Sequence, residues 1–312
     1  MIRKLYSLFL PALMGGVMLM ILTHPDISSK AVSDALDLCI GKVIPSLFPF
    51  MIISSVLIST RMLFKASKGI SVFLSSILKV SPMAFQAFII GCFCGFPVGA
   101  SSLFELYKNG DIGKDETERL LPSCNMCSPA FVIFFSRKAF AGIPHGGSAL
   151  YLIQLISSIL FMIITSVKEK KHMNKKIPEN TSALPFSQAL IRAVKNAVRA
   201  SCTVCGFVIM FYSLNELLAF VAGEREIFRL PMLLVSGILE VTCGLTKIPD
   251  SSMISFCSAA FFICFGGLST VFQTFAIAPE GISQRRYIIG KAISGVSGAI
   301  IAVPAFLILG IF

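Results

Sequence analysis

The chain is 312 residues long, 55% hydrophobic and only 14% charged, with a mean hydropathy of +0.83. A soluble globular domain carries about a quarter charged residues, so this composition excludes one. The net charge of +11 comes from basic residues in short loops between apolar runs, which orients a membrane protein and argues against a nucleic-acid partner.

Arg3 and Lys4 precede the first span, Met1 to Leu22. Its apolar run is long, contains Pro11 and is followed by no small-residue cleavage site, so residues 1–29 read as a retained anchor with a cytoplasmic N-terminus. Lys30 to Lys42 is amphipathic, with Lys30, Asp34, Asp37 and Gly41 at helical spacing. The span Val43 to Thr60 opens I-P-S-L-F-P-F, where two prolines one turn apart free a carbonyl and bend the axis. Residues 61–80 are weakly apolar and stay open between a short span and an interfacial hairpin.

Ala87 to Phe135 is the most unusual stretch. Two apolar segments, A-F-I-I-G-C-F-C-G-F-P-V-G-A-S-S and L-L-P-S-C-N-M-C-S-P-A-F-V-I-F-F, are each interrupted at mid-length by Gly, Pro, Ser or Asn. Broken backbone inside a bilayer is tolerated only where it is buried in protein or lines a cavity. Between them lies a polar loop, Tyr107 to Arg119, with an N-G-D-I-G turn followed by a charged helix start. A span from Ala149 to Val167 follows. Lys168 to Pro185 is the only long hydrophilic stretch; its five lysines place it in the cytoplasm as a linker between two halves.

After the linker the order of features begins again. Ser187 to Arg199 is amphipathic, Ala200 to Val221 apolar, Pro231 to Thr246 carries G-I-L-E-V-T-C-G-L, Ser251 to Ala278 carries G-G-L-S-T-V-F-Q, and Ile288 to Phe312 is the last span. The first amphipathic segment bears Asp34 and Asp37, the second Arg192, Lys195 and Arg199. Opposite charge on equivalent segments is what opposite orientation produces. The expected fold is therefore an all-α polytopic membrane protein of two inverted repeats, 30–167 and 186–312, each with discontinuous or re-entrant helices.

Glu240 lies nine residues into an apolar segment, and a lone intramembrane carboxylate is a functional candidate by default. It is the candidate for a coupling ion, the alternative being a structural ion pair. Gly95, Pro97 and Gly99 mark either an unwound site or a tight helix crossing. Asn125, Ser128 and Pro129 form the polar break of the facing segment. A helix starting there would point its backbone donors at an anion. Thr242, Gly266, Gly267, Ser269 and Gln273 complete the candidate substrate-binding set from the second half. Glu105 is expected to face loop water.

No metal, cofactor or catalytic site is expected. All ten cysteines lie in apolar or amphipathic segments and read as small packing residues. Two pairs, Cys124/Cys127 and Cys202/Cys205, have C-x-x-C spacing, but no clustered His completes a zinc set. The three histidines, His24, His145 and His172, lie in or beside loops, so no nucleophile–base pair is legible and no enzyme is read.

Several of these motifs resemble the YlbJ-type sporulation integral membrane proteins, part of a larger set sharing the nucleoside-recognition Gate domain. The matching pieces are I-P-S-L-F-P-F at Ile44–Phe50, G-F-P-V-G-A at Gly95–Ala100, L-Y-x-x-G-x-I at Leu106–Ile112, E-R-L-L-P-S-C-N-M-C-S-P-A-F at Glu118–Phe131, L-E-V-T-C-G at Leu239–Gly244, and G-G-L-S-T-V-F-Q at Gly266–Gln273. They run in order over nearly the whole chain, with one departure: Ser128 stands where members carry glycine. The resemblance implies a transporter of endospore formation in the mother-cell-derived membrane around the forespore, moving dipicolinic acid, a small dicarboxylate anion. It leaves two alternatives open, a nucleoside carrier and a non-transporting scaffold for the spore envelope. The partners it implies are this substrate and the bilayer, with self-association left open.

Overall fold

The computed structural model describes residues 2–140, 143, 145–166, 183–223 and 226–308. All regular structure among them is helical. The helices are α1 (Ile2–Thr23), α2 (Pro25–Leu38), α3 (Ile44–Ser59), α4 (Met62–Leu78), α5 (Pro82–Cys94), α6 (Val98–Lys108), α7 (Lys114–Cys124), α8 (Pro129–Ala139), α9 (Gly146–Ser166), α10 (Phe186–Ala222), α11 (Glu226–Leu239), α12 (Val241–Thr246), α13 (Met253–Phe265), α14 (Gly267–Ile277) and α15 (Gln284–Ile308). A π-helical turn, Cys39–Val43, joins α2 to α3.

Among the described residues four helical stretches are long and apolar enough to cross a membrane: α9, α10, α13 with α14, and α15. Two bent pairs raise the number to six: α2 with α3, bent by 47°, and the end of α4 with α5, bent by 93°. Large apolar side chains such as Ile164, Val221, Ile293 and Ile300 lie exposed on these helices, where a bilayer would cover them. The protein is a multi-pass integral membrane protein. Residues 61–80, open in the sequence, form α4, which ends at Lys79 in a left-handed conformation and turns sharply into α5.

One expectation is corrected. Ser187–Arg199 and Ala200–Val221 are not separate elements but one continuous helix of 37 residues, α10. From Ala189 through Ala193, Ala197, Ser201, Val204, Val208 and Phe211 to Asn215 its buried positions recur every three or four residues, one stripe along that length, which Leu217 alone leaves among the buried residues of this helix. At 1.5 Å per residue α10 is about 55 Å long, well beyond the hydrocarbon thickness, so its basic first turns lie outside the core. The polar stretch 107–119 holds the expected turn and charged helix start, the latter opening α7. Only Asn109–Gly113 connects α6 to α7, while Thr117 and Glu118 are buried. The basic linker, 168–185, lies outside the described residues except for its last three.

Helix ends fix the course of the chain. The Leu184 amide, just before α10, donates to the Ser59 carbonyl at the end of α3 (3.0 Å), while His24, before α2, stacks on Phe220 near the end of α10. The α2–α3 unit therefore runs antiparallel to α10. Arg119 on α7 donates to Ser166 at the end of α9, and Arg286 at the start of α15 pairs with Asp115 and Glu118 of α7 at 3.1 and 3.0 Å. Hence α9 and α15 are antiparallel as well.

The interior holds two large apolar clusters. One centres on α5, α6 and α7, with Phe104, Leu103 and Leu121 wholly buried; the other joins α8 and α9 to α12, α13 and α15 around Phe256 and Phe262. The second cluster places helices from both halves in one core.

Candidate functional site

Four apolar runs are interrupted where the sequence carries Gly, Pro, Asn or Glu, and they cross in pairs. Gly95, between α5 and α6, has φ +77° and lies against the Ser128 backbone. Only glycine takes this conformation cheaply, and no side chain would fit. Gly91 and Gly99 flank the break, and a Cβ on either would collide with the Cys124 carbonyl. Of the two readings of Gly95–Gly99, the unwound backbone holds for Gly95 and Pro97, whereas Gly99 sits inside α6 at a tight crossing. In the second half, Gly267 (φ +79°) lies against Glu240 and Val241, and Gly237 and Gly244 close around the Phe262 ring.

The backbone groups freed between α7 and α8 find partners on other helices. Gln154 of α9 accepts from the Cys127 amide (3.0 Å) and donates to the Cys127 carbonyl (2.9 Å). Lys291 of α15 donates to the Asn125 carbonyl at 3.0 Å. Ser128 caps α8 by accepting from the Phe131 amide, with Pro129 as the first helical residue, where its missing N–H costs nothing.

The second half is capped by a charge. Glu240 is 4% exposed and stands between α11 and α12, its Oε2 accepting from the Cys243 amide at 2.9 Å and its Oε1 from Thr242 Oγ1 at 3.2 Å. Among the described residues no cation lies within ion-pair distance of it. The start of α12 supplies the positive end of a peptide dipole in place of one.

A cavity of about 320 Å³ opens between the crossings. Ser128, Glu240, Thr242 and Gln273 line it, so four of the candidate residues meet there. Phe96, Phe131, Phe134 and Phe135 form an aromatic wall, and Lys42 enters from the π-helical turn, its Nζ 4.8 Å from the Phe134 ring centroid. Single π turns are often functional; here the extra residue bends the chain just ahead of Pro45 and brings Lys42 to the cavity.

The remaining candidates stand behind this lining. Gly95, Pro97, Gly99, Pro129, Gly266 and Gly267 shape the breaks. Ser269 is buried and accepts from Gln273 Nε2 at 2.9 Å, leaving Gln273 Oε1 without a partner. Asn125 points away from the cavity, its Nδ2 donating to Tyr287 Oη at 2.6 Å and Thr274 Oγ1 at 2.8 Å. Glu105 does not face loop water; it is buried and accepts from Ser55 and Ser59 of α3.

Sequence reasoning passes over Lys42, Gln154 and Lys291. Lys42 has a legible signal, a lone cation two residues ahead of I-P-S-L-F-P-F. By position Lys291 belongs to the basic flank of the last span, but α15 begins at Gln284 and Lys291 is 1% exposed. Gln154 is the one amide in a span whose other polar residues are hydroxyls, and nothing local signals its partner.

Comparison with known proteins agrees with this architecture. The chain is 28% identical to the sporulation integral membrane protein YlbJ of Bacillus subtilis (strain 168), over 90% of this chain and 78% of that protein. The chain is thus similar to a sporulation integral membrane protein along nearly its whole length. No family model and no solved structure matches the chain. With nine tenths of the chain covered, the YlbJ-type similarity is not confined to one of the two crossings.

Proposed function

We propose that this chain is a transporter of endospore formation that carries dipicolinate, or a closely similar aromatic dicarboxylate, by alternating access. The membrane would be the one around the forespore, with the N-terminus and the 168–185 linker on the cytoplasmic side. One observation carries the reading: a single cavity joins the breaks of both halves and offers an aromatic wall, one cation and neutral hydrogen-bonding groups. Breaks of this kind, meeting between repeats, are where secondary transporters hold their ligands. The antiparallel course of α2–α3 against α10, and of α9 against α15, supports inverted repeats.

The Phe wall suits a planar ring, and Lys42 favours an anion over an uncharged nucleoside. Glu240 sets the energetics. An anionic ligand entering beside a buried carboxylate is repelled unless that carboxylate takes up a proton. Glu240 is accordingly the coupling site, and the proton the coupling ion. Uptake of dipicolinate by vesicles holding the purified protein is expected to rise as external pH falls. Glu240→Gln, which imitates the protonated acid, is expected to lose much of that dependence while still accepting the Cys243 amide. An unchanged pH profile would sink the proton role of Glu240. Normal dipicolinate content in spores lacking the gene would sink the substrate.

A further inference from the structure

The α7–α8 break satisfies two freed carbonyls in two different ways. The Cys127 carbonyl is met by Gln154, a neutral amide that also serves the neighbouring N–H. The Asn125 carbonyl is met by Lys291, an ammonium with three donors, of which one is used. The carbonyl needs a donor; it does not need a charge. Taking an ammonium out of water is costly, and here nothing offsets it: no carboxylate lies within ion-pair distance among the described residues.

The surroundings are polar without being ionic. Asn125 Oδ1 and Ser294 Oγ, the latter three residues further along α15, are both buried and have no hydrogen-bond partner. The titratable groups facing Lys291 are Cys127 on the break, Cys264 on α13 and Tyr287 on its own helix. From α9 come Ser157, bonded to the Ser294 carbonyl at 3.0 Å, and Gln154 on the Cys127 backbone, and α14 contributes Thr274. On α7, Glu118 is held by Arg286 and Arg119 by Ser166. Cys127 is close enough to feel both Lys291 and the carboxylate of Glu240.

We propose that Lys291 is a second proton-binding site of the transport cycle, protonated when the α7–α8 break is latched as seen here and deprotonated when the break moves. The inference rests on the transport reading above and deepens it. A dicarboxylate dianion, a neutral Glu240 and an ammonium at Lys291 would move two protons with each ligand, an electroneutral load.

The test is accumulation of dipicolinate in vesicles under an imposed pH gradient, with the membrane potential clamped at zero. Each coupled proton contributes about tenfold accumulation per pH unit, since one pH unit is one tenfold step in proton activity. Lys291→Met is expected to lower the wild-type slope by one such tenfold step per pH unit, with measurable ligand counterflow remaining as proof of a folded carrier. An unchanged slope would overturn the proposal. So would loss of both counterflow and accumulation in Lys291→Met and in Lys291→Gln, because the lysine would then be structural only. No uptake by the wild-type protein would instead remove the transport reading, and this inference with it.

Discussion

At the first crossing, α5–α6 meets α7–α8 through bare backbone: Gly91 and Gly99 clasp the Cys124 carbonyl, Gly95 lies on Ser128, and a neutral hydroxyl caps the following helix. At the second, α11–α12 meets α13–α14 through a ring: Gly237 and Gly244 close around Phe262, Gly267 lies on Glu240, and a carboxylate caps the following helix. The geometry recurs while the charge does not. Two cations come in from elsewhere in the fold, Lys42 from the π turn and Lys291 from α15, and both reach the neutral crossing. The arrangement separates charge across the cavity: cations beside α7–α8, the anion at α11–α12. A dianion placed between them is drawn to the first side and tolerated at the second only once Glu240 takes up a proton.

The packing of the crossings can be broken most severely. A Val at position 99 would put its Cβ into the Cys124 carbonyl and against the Gly91 backbone, neither of which can give way as a flexible side chain could. Gly99→Val is expected to cost about 3 kcal/mol or more and to abolish monodisperse protein in detergent. Gly244→Val, which would strike Gly237 and Phe262, should do the same. Gly206→Val, with open space around it, should leave the elution profile unchanged. If Gly99→Val also eluted normally, the close crossing would be wrong.

The charge difference can be probed with less damage. Lys42 is exposed to the cavity and makes no ion pair among the described residues, so Lys42→Gln should leave folding intact. It is expected to raise the KM for dipicolinate about tenfold, roughly 1.4 kcal/mol of binding, with nucleoside binding unaffected. Equal weakening of both ligands would mean that Lys42 shapes the cavity rather than selecting anions.

All four breaks were legible in the sequence because Gly, Pro, Asn and Glu are costly within an apolar run in a bilayer unless they serve a buried turn or a site. Side-chain direction was not legible. Asn125 has the chemistry of a ligand group, yet the turn after Cys124 aims it at Tyr287 and Thr274, a choice made by α14 and α15 far along the chain. The rule for basic flanks, applied to Lys291, counts charge and ignores where a helix begins. The π turn that delivers Lys42 depends on one extra residue between α2 and α3, and no periodicity marks it. Burial of Glu105 escapes the sequence for a related reason, since the two serines that hold it lie on α3, 46 and 50 residues earlier.

The smallest expected effect concerns the tie between the halves. Arg286 at the start of α15 reaches Asp115 and Glu118 at the start of α7, but its side chain and that of Asp115 are more than half exposed. Solvent screening leaves such pairs worth little. Glu118 is different, being 4% exposed and also accepting from the Ser283 amide at 2.9 Å. Removing Arg286 would therefore leave a buried carboxylate with that amide and the looser Lys114 contact at 3.8 Å. Arg286→Ala is expected to cost about 1 kcal/mol, and Asp115→Asn close to nothing, each read as a shift in the thermal aggregation midpoint in detergent. High salt should shrink the difference between Arg286→Ala and wild type, because screening weakens the pair only where Arg286 is present. A loss for Asp115→Asn as large as that for Arg286→Ala would mean that the exposed pair, not the buried carboxylate, joins the halves.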